Sequence, residues 1–64
     1  MNKREALNFA IAKAGNMTNL AKLCGVTPQA VRAWKVKGEV PVSRIKDVAR
    51  VTKIKISQLR PDLF

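Results

Sequence analysis

Two side chains, Gln29 and Arg32, have residue types and a spacing suited to reading the edges of DNA base pairs. They lie three residues apart, so in a helix they share one face. A glutamine can form two hydrogen bonds with adenine, and an arginine can form two with O6 and N7 of guanine. Each such pairing discriminates against a wrong base by about 1–3 kcal/mol. The alternative is an ordinary solvated helix face; the motif around the two residues favours base contact.

Other residues flank this pair and suit supporting contacts. Thr27 is expected first as a helix cap and second as a base or phosphate contact, and Pro28 offers apolar surface to a thymine methyl group. Helix N-termini bind phosphate through free N–H groups, and the far end of a helix lying in a groove approaches the backbone again. On these grounds six residues are expected to contact phosphates: Asn16, Thr18, Asn19, Lys35, Lys37, Arg44.

The segment 16–36 predicts the two short helices that position these side chains. The first helix, about 17–24, is expected to be capped by Asn16 and to end at Gly25, which readily takes the left-handed turn conformation. Val26 is expected to fill the gap between the helices. Three apolar residues are expected to mark the inner side of the first helix: Leu20, Ala21, Leu23. This is the pattern of a helix-turn-helix.

The second helix of the motif, 28–36, begins with a strong capping signal. Thr27 is a favoured N-cap, and Pro28 is favoured at the first helical position because its missing N–H has no partner there. Val31 and Trp34 lie on one face and are expected in the core. Stacking of Trp34 on single-stranded bases is the alternative, and its spacing from Val31 favours the core. The opposite face is then free to enter a major groove.

The remaining chain predicts further short helices. The first, 3–14, is capped by Asn2, and a later one runs from about Pro41 to Thr52. Residues 53–56 alternate charged and apolar side chains, and we expect an extended connection with its isoleucines on the core. Ser57 is expected to cap a last helical turn. The expected fold class is all-α, a bundle of four to five short helices that contains the helix-turn-helix; the alternative is α+β with a strand-forming C-terminal half.

Composition narrows the classes of function. The chain of 64 residues is expected to form one domain, 1–64, with 13 basic residues against 4 acidic ones and a net charge of +9. Such an excess suits a polyanion: nucleic acid first, an anionic membrane surface second. A membrane-active peptide, which orders only on lipid, is the corresponding rival. A single cysteine excludes an internal disulfide, and the absence of histidine argues against a zinc site. No metal, cofactor or small-molecule ligand is expected. No signal or membrane-spanning segment is visible, and a cytoplasmic location is expected.

The sequence resembles the Cro-like phage repressors, and within them the YdaS-type group, some of whose members are labelled antitoxins. The matching residues are Leu20-Ala21, Gly25-Val26-Thr27, Gln29-Ala30-Val31, Trp34, Val40-Pro41 and the ending LRPDLF at 59–64. The resemblance extends from Leu7 onward. It implies a small helical repressor with a lambda repressor-like fold that binds imperfectly palindromic operators, usually as a dimer. Many relatives carry glutamine at the position of Met17, and a larger aliphatic residue at that of Cys24.

Two hypotheses about function follow. The preferred one is a transcriptional repressor that binds double-stranded DNA and pairs weakly as a homodimer, even if only on DNA. The other is an antitoxin-like or activator protein-interaction module that uses the same fold as a scaffold. Candidate dimer contacts are Val40, Leu63, Phe64. An enzyme is not expected, because the four carboxylates are scattered and there is neither a histidine nor a phosphate-binding glycine loop.

Overall fold

All of the regular secondary structure is helical. In the computed structural model, which describes residues 1–64, the helices are α1 (Lys3–Ala14), α2 (Met17–Cys24), α3 (Pro28–Lys37), α4 (Ile45–Thr52) and α5 (Ile56–Leu59), with a 3₁₀ turn at Val42–Arg44. The predicted all-α fold with a helix-turn-helix at α2 and α3 is confirmed. The alternative with a strand-forming C-terminal half is wrong. None of the helices has both the length and the apolar character needed to cross a membrane.

Side-chain caps start the first three helices, as predicted. Asn2 Oδ1 accepts a hydrogen bond from Glu5 N–H at 2.8 Å, and Glu5 Oε1 accepts one from Asn2 N–H at 3.0 Å. This reciprocal pair satisfies two of the N–H groups that a helix start leaves without partners. Asn16 and Thr27 each accept from the N–H three residues on, at 2.8 and 3.2 Å. The starts of α2 and α3 are therefore fixed by local sequence.

One core joins all five helices. Ala10 of α1, Leu20 of α2, Val31 of α3 and Val48 of α4 are fully buried, and Leu59 of α5 joins them. Its thirteen buried members are Ala6, Leu7, Ala10, Leu20, Ala21, Cys24, Val31, Trp34, Val40, Ile45, Val48, Ile54, Leu59. Trp34 lies in the core as predicted, and Cys24 is another core residue. Burial raises the pKa of the Cys24 thiol, which favours its neutral form.

The expected inner position of Leu23 is wrong. Its side chain is 52% exposed, whereas Cys24 is buried beside Leu20 and Ala21. On a helical wheel, Leu23 and Cys24 lie on opposite sides of Leu20. The packing of α2 against α1, α3 and α4 covers the side that carries Ala21 and Cys24. Leu23 therefore remains at the surface.

The C-terminal half differs from the prediction in two boundaries. Pro41 precedes a 3₁₀ turn rather than an α-helix, and α4 begins only at Ile45. Ser57 does not cap the last helix, because α5 already begins at Ile56 without a side-chain cap. Ile56 packs against the core one turn before Leu59, and this contact draws it into the helix.

The connection between α4 and α5 docks on the core as expected. Ile54 is buried, and Ile56 packs against the core cluster. Thr52 Oγ1 donates to Val48 O at 2.6 Å and accepts from Ile54 N–H at 3.4 Å. These bonds hold the chain as it leaves α4, so the alternating residues form a connection and not a strand.

Candidate nucleic-acid interface

A left-handed glycine and its hydrogen bonds set the angle between α2 and α3. Gly25 has φ 72° and ψ 30°, and Val26 N–H donates to Ala21 O at 2.9 Å. No atom lies within 4 Å of the position that a Cβ on Gly25 would occupy. The positive φ, rather than lack of space, is what favours glycine here.

The burial of one face of α3 leaves the other free. Val31 is fully buried and Trp34 is 7% exposed, whereas Gln29 and Arg32 are exposed on the far side of the helix. Neither Gln29 nor Arg32 forms a side-chain hydrogen bond or ion pair within the chain. Their polar groups are therefore available to an external partner.

A shallow groove between α2 and α3 brings four of the predicted contact residues together. Its lining consists of Met17, Thr18, Pro28, Gln29 and Arg32. Met17, which the sequence analysis did not choose as a site residue, forms part of the wall while also packing against the core. The N-terminus of α2 and the outer face of α3 thus form one concave surface.

Asn16, Asn19 and Thr27 lie at the exposed N-termini of the two helices. The oxygens of Asn16 and Thr27 already accept capping bonds. The amide NH₂ of Asn16 and the hydroxyl hydrogen of Thr27 remain able to donate. Donors are the groups that a phosphate oxygen needs.

The structure does not place Lys37 and Arg44 in the groove. Lys35 and Lys37 are exposed and unpaired on the C-terminal half of α3, and Lys37 lines a separate depression with Ala33, Trp34, Glu39 and Pro41. Arg44 Nη1 lies 3.8 Å from Asp47 Oδ2, so the guanidinium is partly neutralised within the chain. Any phosphate contacts of these residues lie outside the groove.

Charge is distributed unevenly along the chain. The four acidic residues are Glu5, Glu39, Asp47 and Asp62, so none lies between positions 6 and 38. Glu5 belongs to the α1 capping box, and the other three form ion pairs with basic residues. The basic residues of the acid-free segment are Lys13, Lys22, Arg32, Lys35, Lys37. Neither helix of the motif therefore contains a carboxylate, and none of their basic side chains forms an ion pair within the chain.

Residues 7–64 match the family model described as Bacterial toxin YdaS. The chain belongs to the YdaS family. It is also similar to a solved structure, the Cro protein from the prophage element Xfaso 1 in Xylella fastidiosa strain Ann-1, with 38% identity and a TM-score of 0.85. The match covers 100% of this chain and 97% of that one. No curated protein matches the sequence. This YdaS-family chain therefore has the fold of a prophage Cro protein over its whole length.

A buried arginine, which was not among the residues predicted from the sequence, orders the C-terminus of this YdaS-family protein. The Arg60 residue is 6% exposed, and its Nε and Nη2 donate to the two Asp62 carboxylate oxygens at 3.1 and 3.0 Å. Glu39 Oε2 lies 3.5 Å from Arg60 Nη1, and Lys3 Nζ lies 3.0 Å from Glu39 Oε1. The guanidinium holds the pKa of Asp62 down at about 2. The only sequence signal was the ending LRPDLF, where a proline bends the chain between the paired residues.

The side chain of a second arginine of the YdaS-family chain, Arg4 of α1, reaches the C-terminal end of α3. Arg4 Nη1 donates to Lys35 O at 3.4 Å, and the guanidinium lies over Gly38, which ends the helix with φ 80°. A cation there complements the negative end of the helix dipole. Arg4 thereby links α1 to the C-terminal end of α3.

The candidate dimer contacts divide into two groups. Val40 is fully buried within the chain, so it has no surface to offer a partner and its proposed role is wrong. Val40 follows the end of α3, where the chain enters the core, and its carbonyl oxygen accepts a hydrogen bond from the Arg60 guanidinium. Leu63 and Phe64 are 51% and 59% exposed. Both N–H groups donate to Arg60 O at 3.0 Å, so this apolar pair is held in place.

Proposed function

We propose that the protein is a sequence-specific, double-stranded-DNA-binding transcriptional repressor of the Cro type. The observation that carries the proposal is the groove in which Gln29 and Arg32 lie side by side on the exposed face of α3. The absence of carboxylates between positions 6 and 38 supports it, because DNA presents a dense row of negative charge. The likeness to a prophage Cro protein supports the same class.

In the proposed complex α3 lies in the major groove and each residue has a role. Arg32 binds guanine O6 and N7, and Gln29 binds adenine. At the start of the helix, Thr27 contacts a base or phosphate, and Pro28 contacts a thymine methyl group. The phosphates on either side are bound by Asn16, Thr18, Asn19, Lys35, Lys37, Arg44.

We propose further that two copies bind the two halves of a pseudo-palindromic operator. Half-sites recur about 34 Å apart on one side of the duplex. The longest dimension of the molecule is 25 Å, which is less than this spacing, so two copies fit on successive major grooves without overlap and only side chains that project toward the partner can join them. Leu63 and Phe64 form the contact between them, and two exposed side chains suit a weak dimer that assembles on DNA. Repression follows from occupation of a promoter in the bacterial cytoplasm.

Selection of bound sites from random duplex DNA tests this function. For a repressor of this kind, the selection should enrich one short sequence motif, present twice with inverted symmetry and a centre-to-centre distance of about one helical turn. Transcription in vitro from a promoter that overlaps this motif should then fall when protein is added. Enrichment of no motif would contradict the proposal, and an enriched motif at which the protein increases transcription would contradict repression.

The exposed Leu63 and Phe64 also favour a second candidate, a protein-interaction module of the antitoxin or activator kind. The two candidates differ in what the C-terminal pair does. In a repressor, Phe64→Ser weakens cooperative binding of two copies to an operator and leaves binding to one half-site unchanged. In an interaction module, the same variant abolishes a stoichiometric complex with a purified protein partner in the absence of DNA, and Arg32→Ala leaves that complex intact.

A further inference from the structure

Val36 is the most exposed large apolar side chain in the molecule, at 77%. It lies seven residues after Gln29 and four after Arg32. At about 100° per residue, it points within about 20° of Gln29 and about 40° of Arg32. It points about 140° away from the buried Val31. Val36 therefore belongs to the face of α3 that carries the two proposed base-reading residues.

Folding gives no reason for a valine at this position. The side chain is largely exposed and is not a member of the core cluster. Valine also forms helices less readily than alanine or lysine, because its branched side chain loses rotamer freedom. An exposed position on a short helix is thus a poor place for it, unless it contacts something outside the chain.

The charge around Val36 indicates what kind of partner that is. Arg32 lies one turn before Val36 on the same face, Lys35 and Lys37 flank it in the chain, and α3 contains no acidic residue. A single apolar side chain in such basic surroundings is too small to act as an apolar docking patch for a protein. The major groove of DNA combines phosphates with one apolar group on its floor, the 5-methyl group of thymine.

We propose that Val36 is a specificity-determining residue that packs against a thymine methyl group in each operator half-site. The inference rests on the proposed function and adds a base contact near the C-terminal end of α3. Val36 lies about 6 Å beyond Arg32 along the helix axis, since each residue rises about 1.5 Å. The thymine that Val36 contacts therefore belongs to a different base pair from the guanine that Arg32 binds. Thr27, Pro28, Gln29, Arg32 and Val36 then read one continuous strip of the groove floor.

Replacement of single thymines by deoxyuridine tests the proposal, because it removes only the methyl group. The selected operator is prepared with each thymine replaced in turn, and dissociation constants are measured for the wild type and for Val36→Ala. At one thymine the wild type should lose about fourfold in affinity, the factor that corresponds to about 0.8 kcal/mol for one buried carbon group. Val36→Ala should bind the thymine and deoxyuridine forms of that operator equally.

Val42→Ala is the matched control. Val42 is 56% exposed but lies in the 3₁₀ turn before α4 and not on the outer face of α3. This variant should keep the full wild-type penalty for loss of the methyl group. Thermal melts should show that both alanine variants are folded, since neither valine is in the core. If Val36→Ala shows the wild-type penalty at every thymine, the inference is overturned while the proposed function stands. If the wild type binds all duplexes alike, both are overturned.

Discussion

Arg60 Nη1 donates a hydrogen bond of 2.8 Å to the carbonyl oxygen of Val40, twenty residues earlier in the chain. Val40 is fully buried and Arg60 is 6% exposed, so water cannot replace this bond. Val40 lies just after the end of α3. The C-terminal arginine therefore holds the connection that leads from the proposed recognition helix to α4.

Replacing this arginine should destabilise the fold. Arg60→Met leaves the Val40 carbonyl without a partner and Asp62 without its two hydrogen bonds, which should lower the free energy of unfolding by about 1–3 kcal/mol. Urea denaturation measures the change. Arg50→Ala is the control, because the Arg50 side chain is 68% exposed in its pair with Asp47. Its effect should lie within about 0.5 kcal/mol. Equal losses in both variants would show that the buried arginine has no special role.

Acid should destabilise the protein in a defined window. Hydrogen bonds from Arg60 lower the pKa of Asp62 from 3.8 to about 2, and the hydrogen bond from Lys3 lowers that of Glu39 from 4.5. A carboxylate with a lowered native pKa contributes stability above its ordinary pKa, and that stability is lost as the pH falls through the lowered one. The melting temperature should therefore decline between about pH 4.5 and pH 2. In Asp62→Asn this decline should be smaller. An unchanged acid profile in that variant would contradict the assignment.

Gly38 should tolerate a side chain less well than Gly25. Both have positive φ, 80° and 72°, so alanine costs about 1–2 kcal/mol of strain at either position. At Gly38 the new Cβ would also lie 2.5 Å from Arg4 Nη2, whereas at Gly25 it would meet nothing within 4 Å. Displacement of Arg4 breaks its bond to Lys35 O and should add about 0.5 kcal/mol. In an Arg4→Ala background, thermal denaturation should show that Gly38→Ala and Gly25→Ala destabilise the protein equally. If Gly38→Ala remains more destabilising in that background, the contact with Arg4 is not the cause of the difference.

Arg32 and Lys37 should differ in how they affect DNA binding. Arg32→Ala should reduce discrimination at one base pair by about 1–3 kcal/mol and leave the other positions of the operator unaffected. Lys37→Ala should weaken binding to matched and mismatched duplexes by the same factor, because a phosphate carries no sequence information. Fluorescence anisotropy on the selected operator and its single-pair variants separates the two. Identical behaviour of the variants would show that the roles are wrongly assigned.

Binding should depend steeply on salt. If each copy neutralises about five phosphates, two copies on one operator should give a slope near −9 in a plot of log K against log salt concentration. Titrations between about 50 and 200 mM salt measure it. The Lys37→Ala variant should reduce the magnitude of the slope by about 2 for the pair of copies. A slope near −3 on the selected operator would contradict the proposed footprint.

Local features of the fold could be predicted from the sequence, and long-range ones could not. The caps at Asn2, Asn16 and Thr27 involve groups within three residues, so residue type alone predicts them. Leu23 was misplaced because helical periodicity defines a stripe but not which edge of it the neighbouring helices cover. Arg60 was missed because its partner Val40 O lies twenty residues away.

In the proposed site, too, local features could be predicted from the sequence and long-range ones could not. The sequence predicted that Gln29 and Arg32 share a helix face, since that depends only on their spacing. It did not reveal that Met17 lines the same groove, because this depends on how α2 crosses α3. Nor did it distinguish Lys37, which lies beside Trp34 and Glu39, from residues that face the groove.

In the proposed complex, the outer face of α3 lies on base-pair edges. Intermolecular nuclear Overhauser effects between the isotope-labelled protein and an unlabelled selected operator can detect this contact. We expect contacts from the Gln29 and Arg32 side chains to base protons in the major groove, and none from Lys53 or Lys55 to bases. Contacts that come from another face, with Gln29 and Arg32 unaffected by DNA, would contradict it.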